Sequence, residues 1–185
     1  KSETLTLGAE LPLQVFAFID SSYGVHHNGR GQTGVTAGYG LGSTLNYSGI
    51  QRIVVKSSSE GELVGLSDGL SPILGMRNFL VAQGYNQPPA IIFHDNISAI
   101  TMATKGCSTS KRTRHINIRE FWIYDRIKSK ECELRHCKTK IMLADALTKP
   151  TQGSLQRWQR YMLLGCESII HVVADARTYD NEQAK

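Results

Sequence analysis

The stretch that most constrains the fold is LQVFAFIDSS, residues 13–22, an almost continuous apolar run that ends on Asp20. Apolarity without the alternation of a half-exposed strand fits a central strand buried on both faces, which requires structure above and below a sheet. A carboxylate closing such a strand needs a reason, because an ionised group taken out of water is costly unless it is paired. The pattern returns at IIFHD, residues 91–95, where a second short apolar segment stops at Asp95.

The rest of the chain can be read around these two strands. YGVHHNGRGQTG (23–34) is a glycine-rich turn, and residues 35–55 suit two antiparallel strands with a tight connection near Gly42. The first three strands then form a meander. From 57 to 84 the period changes: Leu63, Leu66, Leu70 and Leu74 recur at helical spacing, Pro72 predicts a kink or break, and Gly84 a C-terminal stop. PAIIFHD (89–95) reads as the fourth strand, 96–105 as a short helix and 106–112 as a polar loop. A longer helix follows over 113–129, then a strand at CELRHC (132–137). MLADALTKP (142–150) reads as a helix cut by Pro150, and 153–164 as an amphipathic helix. The predicted order, β-β-β-α-β-α-α-β-α, is an α/β fold: a five-stranded mixed sheet, antiparallel at first and parallel through helical crossovers, flanked by helices.

The 185 residues suffice for one domain, and 41% hydrophobic with 20% charged residues is ordinary for a globular protein. No apolar run approaches the ~18 residues of a membrane span, and KSETLTLGAE is no signal peptide. The chain begins without Met, and is expected to be cut from something longer. Cys107, Cys132, Cys137 and Cys166 lack metal-site spacing and are expected as reduced thiols. The charge is unevenly spread. Residues 105–140 hold eleven Lys/Arg against four Asp/Glu, although the whole chain is only +5. A basic third beside an acidic remainder suits either a polyanion-binding surface or a solvated helix.

Four carboxylates are placed to meet. If strands one and four are parallel neighbours, Asp20 and Asp95 come together at their C-terminal ends, where open α/β sheets tend to place their sites. Glu62, near the start of the first helix, and Asp145, near the start of a later one, can face the same spot. Each has a bland alternative: Asp95 as a helix N-cap, Glu62 as the acid of a capping box with Ser59, Asp145 as a partner of its helix dipole. Four converging carboxylates would repel unless a hard divalent cation neutralised them, and Mg²⁺ takes oxygen ligands.

FIDSSYGVHHNGRGQTG, VKSSSEGELVGLSDG, IIFHDNISAI, SKRTRHINIREFWIYDRI and LADALTKPTQGSL resemble, in this order, the ribonuclease H domain of copia-type LTR retrotransposon Pol polyproteins, over about residues 14–165. The resemblance implies a ribonuclease H-like fold and hydrolysis of the RNA strand of RNA·DNA hybrids, giving 5′-phosphate and 3′-hydroxyl ends. It implies two Mg²⁺ ions, with Mn²⁺ able to substitute, held by Asp20, Glu62, Asp95 and Asp145; Glu60 is the nearby alternative to Glu62. It also implies a reverse transcriptase domain in the same polyprotein as partner, no membrane, and action in cytoplasmic virus-like particles or the nucleus. Residues 1–12 are then a linker from the polymerase, 13–165 the ribonuclease H domain and 166–185 a poorly ordered tail. Two departures stand out: Met142 where the family often has Gln, and the candidate for a product-release histidine, His136, within an apparent strand.

For the hybrid, helical geometry puts Ile116, Ile123 and Ile127 on a buried face, with Arg112, His115, Arg119, Trp122 and Arg126 on the next and Arg114 beside them. These arginines can follow phosphates and Trp122 can stack or pack. Ser58 and Ser59 of KSSS, with Asn96 beside Asp95, are candidates to meet the minor groove, where 2′-hydroxyls mark RNA. Two other classes remain. A catalytically silent hybrid-binding or structural module would be favoured by loss of an acid, and none is lost. An integrase-like DNA enzyme would generally lack the early glutamate.

Overall fold

The computed structural model describes residues 4–9, 11, 13–106 and 114–168. Its sheet comprises β1 (Phe16–Ser22), β2 (Gln32–Gly38), β3 (Leu45–Ile50), β4 (Ala90–His94) and β5 (Cys132–His136), in the spatial order β3-β2-β1-β4-β5. β1 pairs antiparallel with β2 and parallel with β4, which in turn pairs parallel with β5. The meander and the parallel crossovers thus stand as predicted, with the apolar run of β1 at the centre.

Both faces of β1 are covered, and its side chains divide between two cores by simple alternation. Ala17 and Ile19 join Val35, Leu63, Leu66, Leu70, Ile92, Ile116 and Ile123 in the larger core. This lies under α1 (Ser58–Ala82), α2 (Ile97–Lys105) and α3 (Arg114–Lys128). Phe16 and Phe18 point the other way, into a smaller core with Ile91, Phe93, Met142, Leu143 and Met162. That core is covered by two 3₁₀ turns, Thr139–Ile141 and Leu143–Leu147, and by α4 (Gly153–Leu163). Phe18 and Phe93 stack across β1 and β4 with centroids 5.0 Å apart. Met142 is fully buried here, so an apolar contact replaces the polar one expected of Gln.

Two elements differ from expectation. Pro72 neither breaks nor ends α1, which is a single helix of 25 residues. Pro72 lacks the N–H that would bond the Asp68 carbonyl, a loss of about 3 kcal/mol in an exposed helix. Here Leu66, Leu70, Ile73 and Leu74 are buried on both sides of it, and their packing holds the helix through the gap. The predicted helix over 142–150 is instead the second 3₁₀ turn, Leu143–Leu147, followed by non-helical chain, and α-helix resumes only at Gly153. Gly84 ends α1 as expected, with φ of +87°.

Candidate active site

The alternation that splits the core also aims the site. Ser21 faces α1, where Gly65 leaves room for its hydroxyl, and Gly69 lets Val35 and Ile19 close on the helix: a Cβ there would stand 2.8 Å and 3.0 Å from them. Asp20 therefore faces the opposite side, toward the 3₁₀ turns. Gly34, the β2 register partner of Asp20, carries the close approach there. A Cβ on it would meet Thr148 at 2.7 Å, the Ala144 carbonyl at 2.8 Å and Leu147 at 2.9 Å. Ser22 Oγ donates to the Thr148 carbonyl at 2.8 Å and Ser48 Oγ to that of Leu147 at 2.5 Å, tying the segment to the sheet.

Asp20 is 1% exposed, and the Thr148 hydroxyl donates to its Oδ2. Lys149 Nζ stands 3.5 Å from the same oxygen and donates to Asp145 Oδ1 at 2.8 Å. Asp145 is buried within the second 3₁₀ turn rather than at the start of an α-helix, so the helix-dipole alternative does not apply. Its carbonyl accepts from the Lys149 N–H at 2.9 Å.

Glu62 is not a capping residue. Ser57 caps α1, accepting from the Glu60 N–H at 3.3 Å, and Glu60 Oε2 accepts from the Lys56 N–H at 2.9 Å. The cap lies two residues earlier than predicted, which engages Glu60 and leaves Glu62 buried. Glu62 Oε2 has no hydrogen-bond partner among the described residues and lies 3.7 Å from Nε2 of His94. His94 is fully buried, with Nδ1 4.0 Å from Asp95 Oδ1. Asp95 does not cap α2 either: Asn96 does, its Oδ1 accepting from the Ala99 N–H at 3.0 Å. Asp95 Oδ2 instead accepts from the Thr139 hydroxyl at 2.8 Å.

Asp20, Glu62 and Asp95 line one open pocket of about 350 Å³ at the C-terminal ends of β1 and β4, with Asn96, Ile97, Ser98 and Lys149. Asp145 lies outside its lining and is joined to it through Lys149. The electrostatics follow from burial. Loss of water pushes the Glu62 carboxyl up to about 9, helped by the charges of Asp20 and Asp95. Burial likewise raises Asp20 to about 6, against the Thr148 hydrogen bond and the Lys149 charge, which favour the carboxylate. Burial lowers His94 to about 4. For Lys149 burial acts downward but is outweighed by the Asp145 hydrogen bond and the surrounding acids, so its ammonium is held above the usual range.

The donor chemistry suits a hard cation: the pocket acids offer only oxygens, one of them a buried Glu62 atom without a partner. The spacing is another matter. Among the described residues no three acidic, His or Cys side chains stand close enough to hold a metal ion as they are.

The other predicted residues are scattered. Ser58 and Ser59 open α1, one turn before Glu62. His136 is the register partner of His94 at the end of β5, half-buried in the strand. Arg119 is paired with Asp68 at 2.5 Å and Arg126 with Glu131 at 2.9 Å. Trp122 packs on the larger core, the packing alternative. Ile116 and Ile123 are buried as predicted and Ile127 packs against them. Arg112, the side chains of Arg114 and His115, Cys107 and most of the 166–185 tail lie outside the described residues.

Comparison with known proteins adds the following. A ribonuclease H1 isolated from compost by a metagenomic approach superposes with a TM-score of 0.53, at 15% identity, over 73% of this chain and 92% of that one. The ribonuclease H1 of Halobacterium salinarum covers 73% of this chain and 94% of its own at 16% identity, with a TM-score of 0.46. By sequence, the retrovirus-related Pol polyprotein from transposon TNT 1-94 of Nicotiana tabacum is 26% identical over 122 residues. The chain has a ribonuclease H-like fold and is similar in sequence to a retrotransposon Pol polyprotein. The match spans 66% of this chain but only 9% of the tobacco polyprotein, and no protein-family model matches.

Sequence reasoning passed over Lys149, Thr148 and His94. Lys149 had a signal, since it stands four residues after Asp145 in LADALTKP, a spacing that pairs side chains in any helical turn. The four-residue spacing of Gly65 and Gly69, which seats α1 on the sheet, was equally legible.

Proposed function

We propose that this domain hydrolyses the RNA strand of RNA·DNA hybrids, with Asp20, Glu62, Asp95 and Asp145 as the acids that hold two divalent cations, Mg²⁺ or Mn²⁺. The observation that carries the reading is the convergence of Asp20, Glu62 and Asp95 on one open pocket at the parallel strand ends of a ribonuclease H-like sheet. When bound, a pair of ions about 4 Å apart supplies an activated water and charge stabilisation for in-line phosphodiester hydrolysis. The chain's part is positioning. Asp20, rigid within the central strand, faces the pocket from below; Glu62 reaches in from the N-terminal turns of α1, and Asp95 from the end of β4. Asp145 stands behind Asp20 and adds negative charge at the rear of the site. The open mouth, beside Asn96 and Ser98, leaves a hybrid's backbone free to approach. Ser58 and Ser59 at the helix start are the donors proposed for the minor groove, and His136 for product release. In the full polyprotein the reverse transcriptase domain would deliver the hybrid, within cytoplasmic particles or the nucleus.

The test is cleavage of a labelled RNA·DNA hybrid by the purified chain with Mg²⁺ or Mn²⁺, beside Asp95→Asn. RNA-strand cleavage abolished by the substitution and by chelation supports the reading. Salt-sensitive hybrid binding without cleavage, even when a reverse transcriptase domain is added, would favour the silent module.

A further inference from the structure

Lys149 is a cation lodged among acids that are read as a cation site. Its ammonium reaches Asp145 Oδ1 at 2.8 Å and Asp20 Oδ2 at 3.5 Å, so one amine spans two carboxylates contributed by different layers of the fold. The partners are unequal in freedom. The Asp20 side chain is 1% exposed and that of Asp145 7%, whereas that of Lys149 is 44% exposed. The backbone of the lysine is held by its N–H bond to Asp145, by Thr148 against Asp20 and Gly34, and by Pro150 directly after it. Only its four-carbon stem is at liberty, and that stem ends at the mouth of the pocket.

A protonated amine and a hard divalent cation compete for the same carboxylate oxygens. We propose that Lys149 is an internal cation latch. In the metal-free chain its ammonium stands in for an ion between Asp20 and Asp145, and ions enter as the side chain swings outward about its fixed backbone. Thr148 is the companion positioning residue, its hydroxyl keeping Asp20 oriented in either state. The latch explains how a buried acid cluster is tolerated when no ion is bound, since the lysine offsets part of its repulsion. This inference rests on the reading of these acids as an ion site.

The test is direct Mn²⁺ binding to the whole chain, followed by calorimetry and by the electron spin resonance of free Mn²⁺, with no nucleic acid present. Lys149→Met keeps the apolar stem and removes the charge, and it should tighten Mn²⁺ binding on the order of tenfold, the scale of one charge lost beside a carboxylate pair. Lys149→Arg keeps a cation between the acids and should not tighten it. Lys56→Met makes the same charge change on an exposed residue just before α1 and should move the affinity less than twofold, on the order of the weak effect of a screened surface charge. Circular dichroism establishes that each variant is folded. Equal Mn²⁺ affinity in wild type and Lys149→Met overturns the latch and leaves the ion site standing. Equal tightening by Lys56→Met also overturns it, because the effect is then one of overall charge. Absence of Mn²⁺ binding in every variant overturns the ion site and the latch together.

Discussion

Two concavities in this domain invite comparison. The larger, of about 840 Å³, runs between β3, α1 and α3 and is lined by Tyr47, Ile50, Arg52, Pro72, Ile118 and Trp122, with Arg119 and Asp68 paired across it. The acid pocket at the ends of β1 and β4 has less than half that volume. Size would choose the first; chemistry chooses the second. In the groove Arg119 pairs with Asp68 and Trp122 packs on the core. The pocket is different. It keeps three carboxylates in partial burial with one unpartnered oxygen and one lysine among them. Perturbed acids in a cleft mark a candidate site better than volume does.

Substitutions on the two sides should separate them. The largest effect is expected for Asp20→Asn or Asp95→Asn, with loss of hybrid cleavage on the order of a thousandfold. The metal-free thermal midpoint should stay level or rise, because mutual repulsion is relieved. A fall of more than a few degrees would mean that these acids hold the fold rather than an ion. Gly34→Val comes next. Its side chain cannot fit between β2 and the Ala144–Thr148 backbone, so the segment carrying Asp145 and Lys149 must lift from the sheet. The expected cost is about 1–3 kcal/mol in chemical denaturation, together with lost cleavage.

The third prediction concerns pH. An unfolded Glu62 ionises near 4.5, whereas the folded one keeps its proton to about 9. Folding thus takes up a proton between those values, and the stability of the metal-free protein falls as pH rises through them. Asp20 has the same sign between 3.8 and about 6. His94, held neutral down to about 4 instead of 6.5, has the opposite sign below 6.5. Between about 6.5 and 9 Glu62 acts without them, so urea midpoints should fall with pH in wild type and stay flat in Glu62→Gln. A wild-type midpoint constant over that window would show that Glu62 is ionised. The smallest effect belongs to the groove. Arg119→Ala breaks a pair that is roughly a quarter to a third exposed and should cost no more than about 1 kcal/mol, with cleavage within about threefold of wild type. A loss of cleavage as large as that of Asp95→Asn would move the functional surface to the groove.

Much of this was legible in the chain. The apolar run to Asp20, the leucines of α1 and the short strand to Asp95 each bury a continuous side, and burial imposes a period that local reading detects. The four acids were legible one by one. Where the reading slipped, two local solutions were nearly equal in energy. Ser57 with Glu60 and Ser59 with Glu62 are capping boxes two residues apart, and only the closeness of α1 to Ser21, through Gly65, decides which glutamate turns inward. LADALTKP has helical spacing, yet its docking against Gly34 bends it into 3₁₀ turns.

By itself the sequence determined the order of elements, the central place of β1 and the sheet end at which the carboxylates gather, because hydrophobic periodicity and strand alternation are local properties. The tertiary structure alone decided that Asp145 stands behind Asp20 and that Lys149 bridges them. It also decided that Glu62 faces His94 and that Arg119 turns to Asp68. Apart from the local Lys149–Asp145 contact, those pairings join residues far apart in the chain, and the energies that select them, desolvation and charge at a few ångströms, exist only once the layers have closed.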